Sequence, residues 1–342
     1  MMTIKQRKKD HVDLTISGDT SYTQQTGFDR YYMCHNALPE VNFDEIDTHA
    51  EFLGRQFSFP LFISSMTGGY ADAGAVNAII ASFCQEHDLP FGVGSQRIML
   101  ENQDAIATFS IVREKAPDAY IASNIGGQQL IGGLSDDHYE SMVNCIAADA
   151  IIVHLNPLQE LMQPEGDRNF KGILDGIYKL VNRSTIPVIV KETGAGITSE
   201  TADKLLNAGV SVIDISGAGG TSWSKVENAR PSNSNPESLF NDWGVPTERC
   251  LREVVQLKGS YDFEIIASGG IRNGLDMAKA LCLGADFTAS AQPVIKAVVE
   301  KGQEGLEELY LQWIKQLKIT MVLTGCEQVS DLDISHLNLK DS

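Results

Sequence analysis

The sequence predicts an α/β fold, a single (β/α)8 TIM barrel with an N-terminal extension and a C-terminal helix, and three observations predict it. Eight short apolar runs rich in β-branched residues follow one another from residue 59 onward. Helical patterns separate them, which is the alternation of a parallel sheet with helical crossovers. Glycines and small polar residues collect at the C-terminal ends of the runs, where such barrels carry their sites. An open doubly wound sheet is the other arrangement these elements allow.

The chain has 342 residues, a length one barrel uses as a single unit, with 43% hydrophobic and 21% charged residues. No apolar run approaches a membrane span, and the N-terminal MMTIKQRKKDH leads into no apolar segment, so membrane insertion and a secretory signal are not expected. Six cysteines, none in a CxxC pair, predict reduced thiols in a cytoplasmic protein and no structural zinc. A net charge of −18 repels phosphate backbones and argues against a nucleic-acid partner. It leaves room for a small anion where cations gather locally.

In chain order, residues 1–58 form the extension. Lys5, Arg7, Lys8, Lys9 and His11 make a basic cluster that by itself reads as a solvated terminus. Residues 28–40 and 43–47 read as irregular lead-in. The barrel spans 59–325, with strands expected at 60–69, 90–96, 120–127, 150–156, 187–194, 212–220, 263–270 and 287–292, and helices at 75–87, 200–208 and 277–284. Two connections are long: 158–170, and 221–244, which is rich in Asn, Ser and Pro and reads as a lid or a disordered insertion. A last amphipathic helix over 305–323 precedes a polar tail, 326–342.

Lys191 ends the run VIVKETG, where a lysine in an apolar strand needs a partner. A salt bridge to a carboxylate is one explanation; charge stabilisation at the N1/C2 edge of a bound flavin is the other. Glycine turns at Gly270, Ile271 and Arg272, and at Ala291 and Gln292, sit where strand passes to helix and suit a phosphate. Thr67, Ser95, Asn124, Ser216 and Thr221 are strand-end groups small enough to bond a ring edge, or to serve as ordinary caps. Ser95 and Arg97 favour phosphate. His154, Asn156, Gln159 and Glu160 offer one carboxylate among neutral polar groups, which suits Mg2+ shared with phosphate oxygens, against a core histidine and a surface glutamate as the plainer readings.

Together, RKKDHVDL, SSMTGG, GVGSQR, SNIGG, HLNPLQE, VIVKETGAG, SGAGGTSW and ASGGIRNGLD resemble the type 2 isopentenyl-diphosphate isomerases, from Arg7 to about Gln292. The resemblance implies FMN and Mg2+ as cofactors, NADPH as the usual reductant, and interconversion of isopentenyl and dimethylallyl diphosphates, with reduced flavin as acid–base catalyst and a Mg2+-anchored diphosphate. It implies substrate contacts from Arg7, Lys8, His11, Ser95, Gln96, Arg97, His154, Asn156 and Gln159, with Lys191, Gln159 and His154 catalytic. Met66, Thr67, Gly68, Ser95, Asn124, Lys191, Ser216 and Thr221, with the two turns, become flavin contacts, and Glu160 the Mg2+ ligand. A homotetramer or homo-octamer is implied as well. An FMN-dependent 2-hydroxy-acid oxidase is the nearest alternative, although GAGGTSW stands after the sixth run where such an enzyme is expected to carry Arg and His. A noncatalytic prenyl-diphosphate or flavin-binding protein is the other.

Overall fold

A computed structural model describes residues 4–17, 19–66, 68–234 and 236–340, and of residues 4–9, 17 and 71 the backbone alone. Ahead of the barrel lie helix α1 (Ile4–Ser17) and strands β1 (Tyr31–Met33), β2 (Ala50–Phe52) and β3 (Arg55–Phe57). The barrel strands are β4 (Leu61–Ile63), β5 (Phe91–Gly92), β6 (Ile121–Gly126), β7 (Ala150–Leu155), β8 (Val188–Glu192), β9 (Val212–Asp214), β10 (Glu264–Ala267) and β11 (Phe287–Ser290). All pair in parallel, and β11 returns to β4 to close the ring. Each falls within one of the eight apolar runs. The runs are apolar on both faces because each strand is covered inside by the barrel and outside by helices; every residue of β6 and β8 is buried.

The outer layer is α2 (Ala71–His87), α3 (Arg97–Glu101), α4 (Ala107–Lys115), α5 (Asp136–Ile146), α6 (Pro157–Met162), α7 (Ile173–Arg183), α8 (Ser199–Asn207), α9 (Trp223–Ala229), α10 (Thr247–Val254), α11 (Gly274–Cys282) and α12 (Gln292–Thr324). Local chemistry starts several of them. Ser135 accepts the His138 amide at 3.2 Å to open α5, and Asn273 accepts the Asp276 amide at 2.8 Å to open α11. The last helix begins earlier than its amphipathic stretch indicates and is broken at Gly302, whose φ of 62° and ψ of −140° are not helical.

The N-terminal end of the barrel is closed by the β2–β3 hairpin, which periodicity alone does not reveal in so short a stretch. Its turn sits at Leu53 and Gly54, with φ of 49° and 71°, the left-handed pair that suits a two-residue hairpin. Phe52 stacks on Phe287 at 5.0 Å between ring centroids, and Phe57 meets Tyr120 edge-on at 5.9 Å. Full burial of two Phe side chains contributes roughly 3–6 kcal/mol of transfer free energy.

Two expectations change. Residues 326–340 are not a loose tail: β12 (Leu337–Leu339) pairs antiparallel with β1, and Cys326, Val329, Leu332 and Leu337 are buried. The alternation Leu337-Asn338-Leu339 is too short to mark a strand, and the partner lies about 300 residues away in sequence. Residues 221–234 and 236–244 are ordered around α9, with Ser222, Ser224, Glu227 and Arg230 buried.

Candidate active site

Two clefts adjoin at the C-terminal end of the barrel, with about 830 and 970 Å³ of space counted with the solvent at their mouths. That is room for a cofactor and a substrate side by side. Ser65, Met66, Lys191, Thr193 and Trp223 line both and form the wall between them.

The first cleft runs from this wall to the β10 and β11 ends. There Gly269 and Gly270 have φ of 96° and 82°. A Cβ on Gly269 would collide with the Gly217 backbone, and one on Gly270 with Thr26, so only glycine lets these segments come this close. The turn leads into α11, and the unbroken first leg of α12 begins at the same cleft with no side chain capping its N-terminus. An uncapped helix N-terminus beside a glycine turn suits a phosphate. Arg272 reaches across it to donate to the Gly219 carbonyl at 2.7 Å. At the wall, Ser65 Oγ is buried with no hydrogen-bond partner among the described residues. A flavin phosphate at the turn and a flavin ring edge at Ser65 fit this cleft.

The second cleft is polar. Asn124 Nδ2 donates to the Val93 carbonyl at 3.0 Å, which turns Oδ1 toward His154 Nδ1 at 2.8 Å. With Oδ1 as the acceptor, His154 Nδ1 is the donor of this bond. Pro157 opens α6 and sets Gln159 and Glu160 on its first turns. Asn156 Nδ2 donates to Gln159 Oε1 and to Glu160 Oε1, both at 3.1 Å, and the Asp167 amide donates to Glu160 Oε2 at 2.7 Å. A single carboxylate amid neutral donors fits a Mg2+ ion completed by phosphate oxygens. Gln159 Nε2 donates to Glu227 Oε1 at 3.0 Å, and His11 Nε2 lies 2.9 Å from the same oxygen. Helix α1 thus closes over the cleft, with the His11 ring 5.2 Å from that of Trp223. Burial pushes the Glu227 carboxyl up, but the bonds from His11, Arg230 and Gln159 outweigh it and hold the group below the ordinary glutamate value.

Register places His154, Lys191 and Asp214 side by side on β7, β8 and β9. Lys191 Nζ donates to the Glu192 carbonyl at 2.6 Å, and the residue lines both clefts. Asp214 accepts from Ser268 Oγ and from the Ser216 amide at 3.2 Å; burial raises its carboxyl pKa, and the nearby Lys191 cation works against that.

Most of the expected site residues meet here. Ser216, Thr221, Gly270, Ile271, Arg272, Ala291 and Gln292 line the first cleft with Met66 and Lys191. His11, Ser95, Arg97, Asn124, His154, Asn156, Gln159 and Glu160 line the second. Gln96 does not reach it. Its side chain is wholly buried behind the wall, donating to the Met142 carbonyl at 3.1 Å while Oε1 accepts from Ser123 and from the Asn124 amide, because the chain turns into α3 there and points position 96 inward. A Cβ on Gly68 would strike the Phe109 ring, so only glycine fits there. The side chains of Arg7 and Lys8, and all of Thr67, lie outside the described residues. Ser65, Trp223 and Glu227 were not anticipated. Ser65 adjoins Met66 and was within reach of a motif argument, whereas Glu227 sits in a polar insertion with no local signal.

The fold and the glycine cradle define a flavoprotein barrel, and residues 155–339 match the FMN-dependent dehydrogenase family. A flavocytochrome b2 variant superimposes with a TM-score of 0.69 at 18% identity, covering 98% of this chain and 83% of that one. A putative lactate oxidase from Pediococcus acidilactici does so with a TM-score of 0.70 at 16% identity, covering 99% and 93%. At such identities the likeness is one of fold. Isopentenyl-diphosphate delta-isomerase from Chlorobium luteolum is 45% identical, covering 96% of this chain and 94% of the relative. The enzyme of that name from Rickettsia felis is 42% identical, covering 98% and 96%. The chain belongs to the isopentenyl-diphosphate delta-isomerase family, in its FMN-dependent branch.

Proposed function

We propose that this chain interconverts isopentenyl diphosphate and dimethylallyl diphosphate, with FMN in the first cleft and substrate in the second. The observation that carries the reading is the shared wall, where Lys191 and Met66 belong to a phosphate-cradling cleft on one side and a polar, carboxylate-bearing cleft on the other. Reduced FMN, when bound, supplies an acid–base group at the alkene.

The chain's own residues do the rest. Gly270, Ile271, Arg272, Ala291 and Gln292 hold the cofactor phosphate; Ser95, Asn124, Ser216 and Thr221 bond the cofactor, joined by Thr67 and Gly68 from the SSMTGG turn. Glu160 holds Mg2+ against the diphosphate, and Arg97, His11, Arg7 and Lys8 supply cations to it. Asn156 orients Gln159 and Glu160 together. His154 and Gln159 face the substrate, while the Lys191 ammonium opposes negative charge developing at the cleft wall. Helix α1, α9 and Trp223 exclude water from the mouth.

Residues 1–58 form the substrate-binding extension in this reading, 59–325 the barrel and 326–342 a C-terminal tail. NADPH is the reductant. Six free cysteines support a reducing, cytoplasmic setting, and among the described residues no helix is long and apolar enough to cross a membrane. A homotetramer or homo-octamer is supported by exposed apolar side chains along α12, such as Leu311, Ile319 and Leu323.

The test is product formation from isopentenyl diphosphate by protein with FMN and Mg2+, comparing oxidised flavin with flavin reduced by NADPH or dithionite. Isomerisation after reduction alone is expected. Oxidation of a 2-hydroxy acid in its place would support the oxidase reading, and flavin binding with neither activity the binding-protein reading.

A further inference from the structure

Glu192 follows Lys191 on β8, so its side chain leaves the opposite face of the strand and has no place in the clefts. It is nonetheless buried, and it curls over the loop that follows. One oxygen, Oε2, accepts the amides of Thr193 and Gly194 at 2.6 Å each, that of Ala195, and that of Gly196 at 3.2 Å. Four N–H groups converging on one oxygen form an anion-binding concavity, here filled by the chain's own carboxylate. The loop needs left-handed glycines for it: Gly194 has a φ of 136° and Gly196 of 95°. The nest is tied down on its far side, where Ala195 accepts the Val245 amide at 2.9 Å. On its near side it forms part of the site. Thr193 and Gly194 line the first cleft, Thr193 the second, and a Cβ on Gly194 would stand 2.9 Å from the Thr221 carbonyl. The Glu192 carbonyl that accepts from Lys191 Nζ belongs to the residue whose side chain locks the loop.

We propose that Glu192 is a positioning residue: its carboxylate, held in its own backbone nest, fixes the 193–196 loop and so the Glu192 carbonyl on which the Lys191 ammonium is aimed at the flavin. This rests on the reading of the first cleft as the FMN site. A lone structural carboxylate would serve stability alone; one that aims Lys191 sets the electrostatics of the flavin edge. The charge matters because a carboxylate oxygen, with no more lone pairs than an amide oxygen, attracts each N–H group about twice as strongly.

The experiment compares wild type, Glu192→Ala and Glu192→Gln, with formate as a small anion able to enter the vacated nest. Three measurements are made: amide exchange of residues 193–196 in FMN-free protein, FMN affinity by fluorescence quenching, and the flavin midpoint potential. In Glu192→Ala the loop amides should lose protection, FMN should bind about 10–100-fold more weakly, and the potential should fall toward that of a Lys191→Ala protein. Formate should restore all three, and Glu192→Gln should fall between. FMN affinity within twofold of wild type together with an unshifted midpoint potential in Glu192→Ala would overturn the inference, as would losses that formate leaves unchanged while circular dichroism shows a folded protein. Wild-type protein that binds FMN without isomerising anything would overturn the functional reading alone, since none of these measurements uses turnover.

Discussion

Lys191 and Gln96 show how one residue acquires or loses a role through its surroundings. Lys191 lines both clefts, and its cation also offsets the burial of the Asp214 carboxyl, so Lys191→Ala removes a charge that a buried acid needs as well as the site. Turnover of the reduced enzyme should fall about 10²–10³-fold and the unfolding midpoint should fall with it, measured by steady-state kinetics and urea titration. Gln96 shows the reverse. Its hydrogen bonds to Met142, Ser123 and Asn124 are all internal, and Gln96→Ala strands buried donors and acceptors at about 1–3 kcal/mol. A lower urea midpoint with a smaller change in KM than Arg97→Ala would bear this out; a KM effect equal to that of Arg97→Ala would return Gln96 to the substrate.

Among the elements, α1 and β12 hold the site from the two ends of the chain. Helix α1 is docked through His11 on Glu227, whose carboxyl lies below the ordinary glutamate value. A depressed acid contributes stability that is whole above its unfolded pKa and is lost as pH falls through its own lower one. Acidification through and below the usual glutamate range should therefore release α1 from Trp223, seen as a step in tryptophan emission that Glu227→Gln lacks. The clasp of β12 on β1 buries Leu337. Leu337→Asp should cost about 2–4 kcal/mol in denaturant unfolding, while the affinity for FMN stays within twofold, because the pairing lies outside the clefts.

For the whole molecule, the proposed division of labour is between two clefts. The glycine turn after β10 lines the first, whereas Glu160 on α6 lines the second. Chelation of Mg2+ by EDTA should accordingly abolish isomerisation while the flavin absorbance stays with the protein on gel filtration. Co-elution of free FMN after chelation would mean that the two sites depend on each other. The net charge of −18 is compatible with anionic ligands because cations are needed only at the cleft.

The eight strands were legible in the sequence because a parallel strand covered on both faces is apolar along its whole length, and the glycine turns were legible because only glycine permits a close backbone approach. Most of the site followed from these, since residues at strand ends share one rim of a closed barrel. What lies off the strands was decided by tertiary structure. Strands β2, β3 and β12 are three residues each, too short for periodicity to register. Gln96 is polar at a strand end like its neighbours Ser95 and Arg97, and the turn into α3 alone sends it inward. Glu192 and Glu227 read as ordinary charged residues until folding brings loop amides to one and His11, Gln159 and Arg230 to the other. A carboxylate's role depends on which donors surround it, and here those donors include residues far apart along the chain.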